Sequence, residues 1–394
     1  MKKFFNFKYL CFLVCFIAVI FLCYNFTFKK NSNEDYINVY SWGEFIANGT
    51  EGNINVNEEF TKRTGIKVNY KTFQNNEELF AKLLGGSADY DVIIPSDYMI
   101  SRLVENNMLK PLNFDNIPNY DLIDDAFKNL NFDPQNKYSV PYMWGLIGIF
   151  YNKKEVDAKE SDINWDILWN EKYKNKILMF DNARDSFAIS LLRLGYHLNT
   201  TNPKYWRNAA DELIKQKPLV QAYVMDQIFD KMANGEAVLA PYYAGDAATL
   251  IKNNPDIGFV IPKSGSNKFV DSMCIPKNSK HKDMAEKYIN FMCETDIATA
   301  NLKQTGYSTP QKEAYDRLDD EIKQNKIFYP DNETMKNADI FVNLPENINK
   351  YMDELWVEVK SGGTYSPEWT LIVILAIFVI IYLAVFIYKK LKSK

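Results

Sequence analysis

Three observations predict an α/β fold built on parallel sheets and large enough for two lobes. Strand-like and helix-like segments alternate from residue 37 onwards. Gly, Pro and capping residues punctuate those segments where such elements stop. The chain's 394 residues exceed one small domain and suit two of ordinary size.

The elements follow in order. Residues 37–42 read as a strand, 55–63 as a helix ending at Gly65, and 66–73 as a second strand. Residues 76–84 form a helix closed by Gly85 and Gly86. Residues 91–94 form a buried strand stopped by Pro95, and Ser96 caps a helix running through Glu105. This β-α-β-α-β-α run predicts a parallel sheet covered on both faces. Ligands in such sheets sit at the carboxyl ends of strands, where Trp42, Ser96, Asp97 and Tyr98 fall. A second run starts near Gly145, with strands over 177–180, 237–240 and 257–261 and an extended segment over 269–275. Helices are expected over 183–194, 203–215, 225–234, 281–292 and 346–359.

Both ends are apolar with basic flanks. Residues 9–28 carry no charge and follow Lys2, Lys3 and Lys8, so 1–30 reads as a signal peptide or signal anchor. Residues 371–388 are also uncharged, lie between Trp369 and Lys389-Lys390, and at about 1.5 Å per residue reach across a hydrocarbon core. A transmembrane helix is therefore expected over 370–388, with a cytoplasmic tail at 389–394 and the body outside. The expected location is the cell membrane, with the folded body on its extracytoplasmic side.

Residues 31–369 hold 37 basic and 50 acidic side chains, a net charge near −13. An acidic body argues against nucleic acid and favours a cationic partner, although the same charge also serves solubility. The two histidines, His197 and His281, leave little room for a His-rich metal site. There is no CxxC, and Cys274 and Cys293 read as two buried thiols. GxSxG, HExxH and P-loop motifs are absent, so the reading is a binding protein with no cofactor rather than an enzyme.

Six blocks then carry a resemblance. They are INVYSWGEF at 37–45, FTKRTGIKV at 60–68, YDVIIPSDY at 90–98, YSVPYMWG at 138–145, VDSMCIP at 270–276 and TGYSTP at 305–310. In this order they resemble the spermidine/putrescine-binding proteins of ABC importers over roughly residues 36–361. The resemblance implies a bilobal periplasmic-binding-protein-like fold, two parallel-sheet lobes joined by a hinge. Lobe 1 would comprise 36–144 and 271–312, and lobe 2 would comprise 145–270 and 313–361, followed by a linker at 362–369. The crossings would lie near 141–149 and 262–271, with a third after Pro310. It also implies a polyamine ligand, ABC permease and ATPase partners, and capture between closing lobes.

A polyamine needs carboxylates for its ammonium groups and aromatic walls for its methylenes. Asp271 is the leading carboxylate. Asp185 stands where the family usually has glutamate, and Asp246 resembles an aspartate that holds a terminal amine. Asp185 and Asp246 also suit the first turns of helices. Trp42, Phe45, Tyr98, Tyr243, Phe269 and Tyr307 would form the walls, although a single aromatic is as easily core. Ser96 offers a hydroxyl, Asp97 and Glu44 sit at the lip, and Trp144 packs in the hinge. At Ile340-Phe341 the family often has a polar residue, so a hydrogen bond is absent there. Two alternatives keep the scaffold: another small solute (a sugar, thiamine or iron), or a membrane-tethered sensor.

Overall fold

The structure, a computed structural model, describes residues 35–363 apart from Ser87. It opens with β1 (Tyr36–Trp42), α1 (Val56–Thr64), β2 (Lys67–Phe73), α2 (Asn76–Leu84), β3 (Val92–Ile93) and α3 (Asp97–Glu105). β4 (Ser139–Asn152), β5 (Ile177–Phe180), α4 (Ala183–Arg193) and α5 (Pro203–Gln216) follow. Next come β6 (Val220–Val224), α6 (Ile228–Ala233), β7 (Leu239–Tyr243), α7 (Ala247–Asn253) and β8 (Ile257–Val260). The chain continues through β9 (Ser266–Cys274), α8 (Lys282–Met292), α9 (Thr295–Thr305), α10 (Lys312–Asp316), α11 (Asp320–Gln324) and α12 (Asn332–Lys336). It ends in β10 (Ala338–Ile340) and α13 (Glu346–Ser361).

Asparagine side chains start several of these helices. Asn55, Asn75 and Asn182 accept from Glu58, Glu78 and Asp185 N–H groups at 3.2, 2.8 and 3.3 Å. Gly65, at φ 76°, ends α1 in the left-handed conformation that favours glycine.

The strands run in the order β2-β1-β3-β9-β4-β7-β5-β6, with β10 beside β9 and β8 beside β4. β2, β1 and β3 are parallel, and so are β6, β5 and β7. The expectation of parallel sheets fails at the centre. β9 runs antiparallel to β3 and β4, and β4 runs antiparallel to β7 and β8, so the sheet is mixed. Both crossing segments are themselves strands. Ser139–Leu146 of β4 pairs with Lys268–Cys274 of β9, and Ile147–Asn152 of β4 pairs with β7 and β8. Every residue of β4 is buried, so it lacks the alternation that marks a strand in sequence.

Each half of the sheet has its own core. Phe150, Trp165, Phe180, Phe187 and Trp206 fill the second half, and α13 adds Ile348, Met352, Leu355 and Val359. Val39, Phe60, Tyr288 and Ile289 anchor the first. Side chains of this size each contribute about 1.5–3 kcal/mol on burial. The return segment is tied to β4 at Trp144, whose N–H reaches Ser308 O at 3.0 Å and whose indole reaches Thr309 O at 3.4 Å. Cys274 and Cys293 are free and buried. The expected signal segment at 1–30, most of the linker at 362–369, the transmembrane helix at 370–388 and the tail at 389–394 lie outside the described residues. Among the described residues, no helix is long and apolar enough to cross a membrane.

Candidate functional site

A cleft of about 680 Å³, counting its mouth, opens where the two halves meet. All eleven residues singled out in the sequence line it. The end of β1 and the turn after it supply Trp42 and Phe45, and the start of α3 supplies Ser96, Asp97 and Tyr98. Asp185 projects from the first turn of α4, Tyr243 ends β7, and Asp246 stands in the next turn. Phe269 and Asp271, two apart on β9, share one face with Asn267. Tyr307 follows Gly306, the left-handed cap of α9. Six carboxylates line the cleft (Glu44, Asp97, Asp185, Asp226, Asp246 and Asp271), and no Lys, Arg or His is among the described lining residues.

The carboxylates are held at defined points. Tyr243 donates its hydroxyl to Asp185 Oδ2 at 2.7 Å, and Tyr307 donates to Asp246 Oδ2 at 2.8 Å. The rings of Tyr243, Phe269 and Tyr307 stand in succession between these aspartates, with centroids 5.3 and 6.0 Å apart. Asp271 is 4% exposed, and its Oδ1 has no hydrogen-bond partner. Burial lifts the carboxyls of Asp185 and Asp271 to about 7; a Tyr243 hydrogen bond opposes the rise at Asp185, a Ser96 hydrogen bond at Asp271. Burial lifts Asp246 to about 8, against the Tyr307 hydrogen bond. No basic side chain among the described lining residues offsets these carboxyls, although Arg184 behind the wall acts on Asp185, so the site suits a cation.

Two expected roles read differently in atomic detail. Asp97 lines the cleft, but its carboxylate accepts from the N–H groups of Tyr98 and Val270 at 2.6 and 3.1 Å, which ties α3 to β9. Ser96 occupies the N-cap position without a side-chain cap bond, and its hydroxyl serves Asp271 instead. Trp144 packs against Phe127 and Tyr329 and is absent from the lining. Phe341 lines the wall, and Arg184 stacks beneath it with the guanidinium carbon 4.5 Å from the ring centroid.

Sequence reasoning missed Asn76, Asn182, Asp226 and Tyr242. Asn76 holds Tyr98 Oη at 3.2 Å and the Ser96 N–H at 3.3 Å. Asn182 and Asp226 were concealed by elements: one serves as a helix cap, and the other fell inside a helix expected over 225–234 that begins only at Ile228. Tyr242 had a signal in its doublet with Tyr243, but the doublet points equally to core.

An acidic, aromatic-walled slot of this kind suits an alkyl chain bearing several ammonium groups. The comparisons with known proteins fit that chemistry. The model of the family described as bacterial extracellular solute-binding protein matches residues 55–330. The spermidine/putrescine-binding periplasmic protein of Escherichia coli K12 is 36% identical over 324 residues, 82% of this chain and 91% of that one. The putrescine-binding periplasmic protein SpuD of Pseudomonas aeruginosa is 31% identical, over 83% of this chain and 92% of its own. A solved structure described as a spermidine/putrescine ABC transporter from Listeria monocytogenes superposes with a TM-score of 0.78 at 39% identity. It covers 83% of this chain and 99% of its own.

Proposed function

The chain belongs to the bacterial extracellular solute-binding protein family, and we propose that it is the polyamine receptor of an ABC importer. It captures spermidine or putrescine in the cleft and delivers it to a permease. The observation that carries this reading is the lining itself: six carboxylates without a basic side chain among the described residues, one of them buried with an unpartnered oxygen. Asp185, Asp246 and Asp271 take the ammonium groups. Trp42, Phe45, Tyr98, Tyr243, Phe269 and Tyr307 enclose the methylenes, with Ser96 and Asp97 holding the wall. Two lobes, 36–144 with 271–312 and 145–270 with 313–361, close over the ligand. A sugar needs no such density of charge, and a ferric ion prefers a tyrosine pair with histidine.

Residues 370–388 anchor the receptor beside its permease, which raises its effective concentration there.

Calorimetric titration of the whole chain in mild detergent tests the binding role. Spermidine or putrescine is expected to bind, more weakly as salt rises. Asp271→Asn is expected to weaken binding by about 2–5 kcal/mol, roughly thirtyfold or more in Kd. Asp319→Asn, remote from the cleft, is expected to leave it unchanged. Absence of heat with every polyamine, alongside binding of a sugar or metal, sinks the reading.

A further inference from the structure

The carboxylates of the cleft fall into two groups. Asp97, tied to backbone N–H groups, and the inner pair Asp185 and Asp271 line the cleft alone. Glu44, Asp226 and Asp246 line both the cleft and an outer basin bordered by Lys252, Thr249 and Lys303, so they stand at its mouth. Asp226 and Glu44 are close enough to Asp246 to push its carboxyl up.

Glu44 and Asp226 are the carboxylates that the reading above leaves without a role, and Asp226 is the one that reaches across the cleft. It sits in the turn between β6 and α6, and among the described residues its carboxylate accepts one long hydrogen bond, from the Tyr242 hydroxyl at 3.5 Å. It faces Gly43, on the opposite side of the cleft. A Cβ on Gly43 would lie 2.5 Å from Asp226 Oδ2, so a side chain there would push this oxygen from its present place. Beside the notch, Glu44 holds φ 46°, a left-handed conformation uncommon for glutamate. Glycine and strained backbone on one side thus accommodate a carboxylate reaching from the other.

We propose that Asp226, seated in the Gly43 notch, is a specificity-determining residue that supplies the mouth carboxylate for a third ammonium group and so favours a triamine over a diamine. The inference rests on the polyamine reading. A diamine's two ammonium groups already meet three carboxylates, the inner pair and Asp246, before Asp226 is counted. Asp226 is surplus to a dication and gains only when a further ammonium arrives. Charge recognition of this sort acts as a difference between ligands, so it is read as a ratio.

The test is a titration of the whole chain, in mild detergent, with spermidine and with putrescine. Asp226→Asn is expected to weaken spermidine about tenfold or more and putrescine by no more than about threefold. Gly43→Ala, which drives a methyl into the space of Oδ2, is expected to reproduce that selective loss with Asp226 intact. Equal losses for the two ligands, or no loss for either, overturn the assignment while leaving the receptor reading standing. A wild-type chain that binds neither polyamine overturns that reading and this inference with it. Thermal melts of each variant identify one that fails to fold, and the other variant then decides the question.

Discussion

Asp185, Asp246 and Asp271 make the empty cleft a proton store near neutral pH. Their carboxyls, lifted by burial to about 7, about 8 and about 7, hold protons that a solvated aspartate, with pKa about 3.9, gives up. A carboxyl raised in this way favours the folded, empty protein at acid pH, and that contribution is lost as pH rises from about 4 through 8. An ammonium ligand reverses the preference, because it binds the ionised form. Polyamine affinity should therefore climb from pH 5 to pH 8, and binding at pH 7 should release protons. Titration in buffers of different ionisation enthalpy reads the release directly; a heat independent of buffer would refute the coupling. The three aspartates were legible in sequence because they stand where the family resemblance places carboxylates, not because periodicity singled them out. Their state of ionisation was not, since it depends on how many atoms exclude water from each carboxyl.

At the scale of elements, the same distinction holds. α2 and α3 match the expected bounds, because amphipathic periodicity agrees with the Asn75 cap and Gly85 stop at α2 and with the Pro95-Ser96 start at α3. β4 escaped: it is buried throughout, and a strand buried on both faces carries no period to read, whereas β9 was read from 269 and begins three residues earlier. β6 and β10 also escaped; both are short and half-exposed. Close packing between elements sets the site as firmly as their order. A Cβ at Gly245 would lie 2.4 Å from the Tyr307 ring, and one at Gly306 would lie 2.3 Å from Gly245 O. The turn after β7 thus presses on the cap of α9 and aims Tyr307 at Asp246. Gly245→Ala is expected to displace the ring at a cost of about 1–3 kcal/mol, lowering polyamine affinity and Tm together. Unchanged affinity would show that the hydroxyl of Tyr307 does not need this contact.

For the whole molecule, the acidic body suits the cationic ligand proposed for it. The fold was legible as α/β with two halves; the mixed sheet was not, because strand direction depends on pairing between residues more than a hundred positions apart. The membrane anchor has its own test. The full chain should stay with membranes through an alkaline carbonate wash, and a chain stopped after Gly363 should be released. If both are retained, the anchor lies in residues 1–30 instead.

The packing of α13 bears on what moves. That helix lies on α5, buries Leu355 and Val359 in the second core, and sends Lys360 Nζ to Asp181 at 2.6 Å, next to Asn182 of the cleft wall. Lys217 Nζ grips the Lys360 carbonyl at 2.6 Å. If the proposed anchor follows α13, the second half would be the fixed frame. Opening and closing would then be a swing of the first half alone, carrying Trp42, Ser96 and Asp271. Seen from a bilayer, a receptor held in this way would be a seat with a single moving jaw.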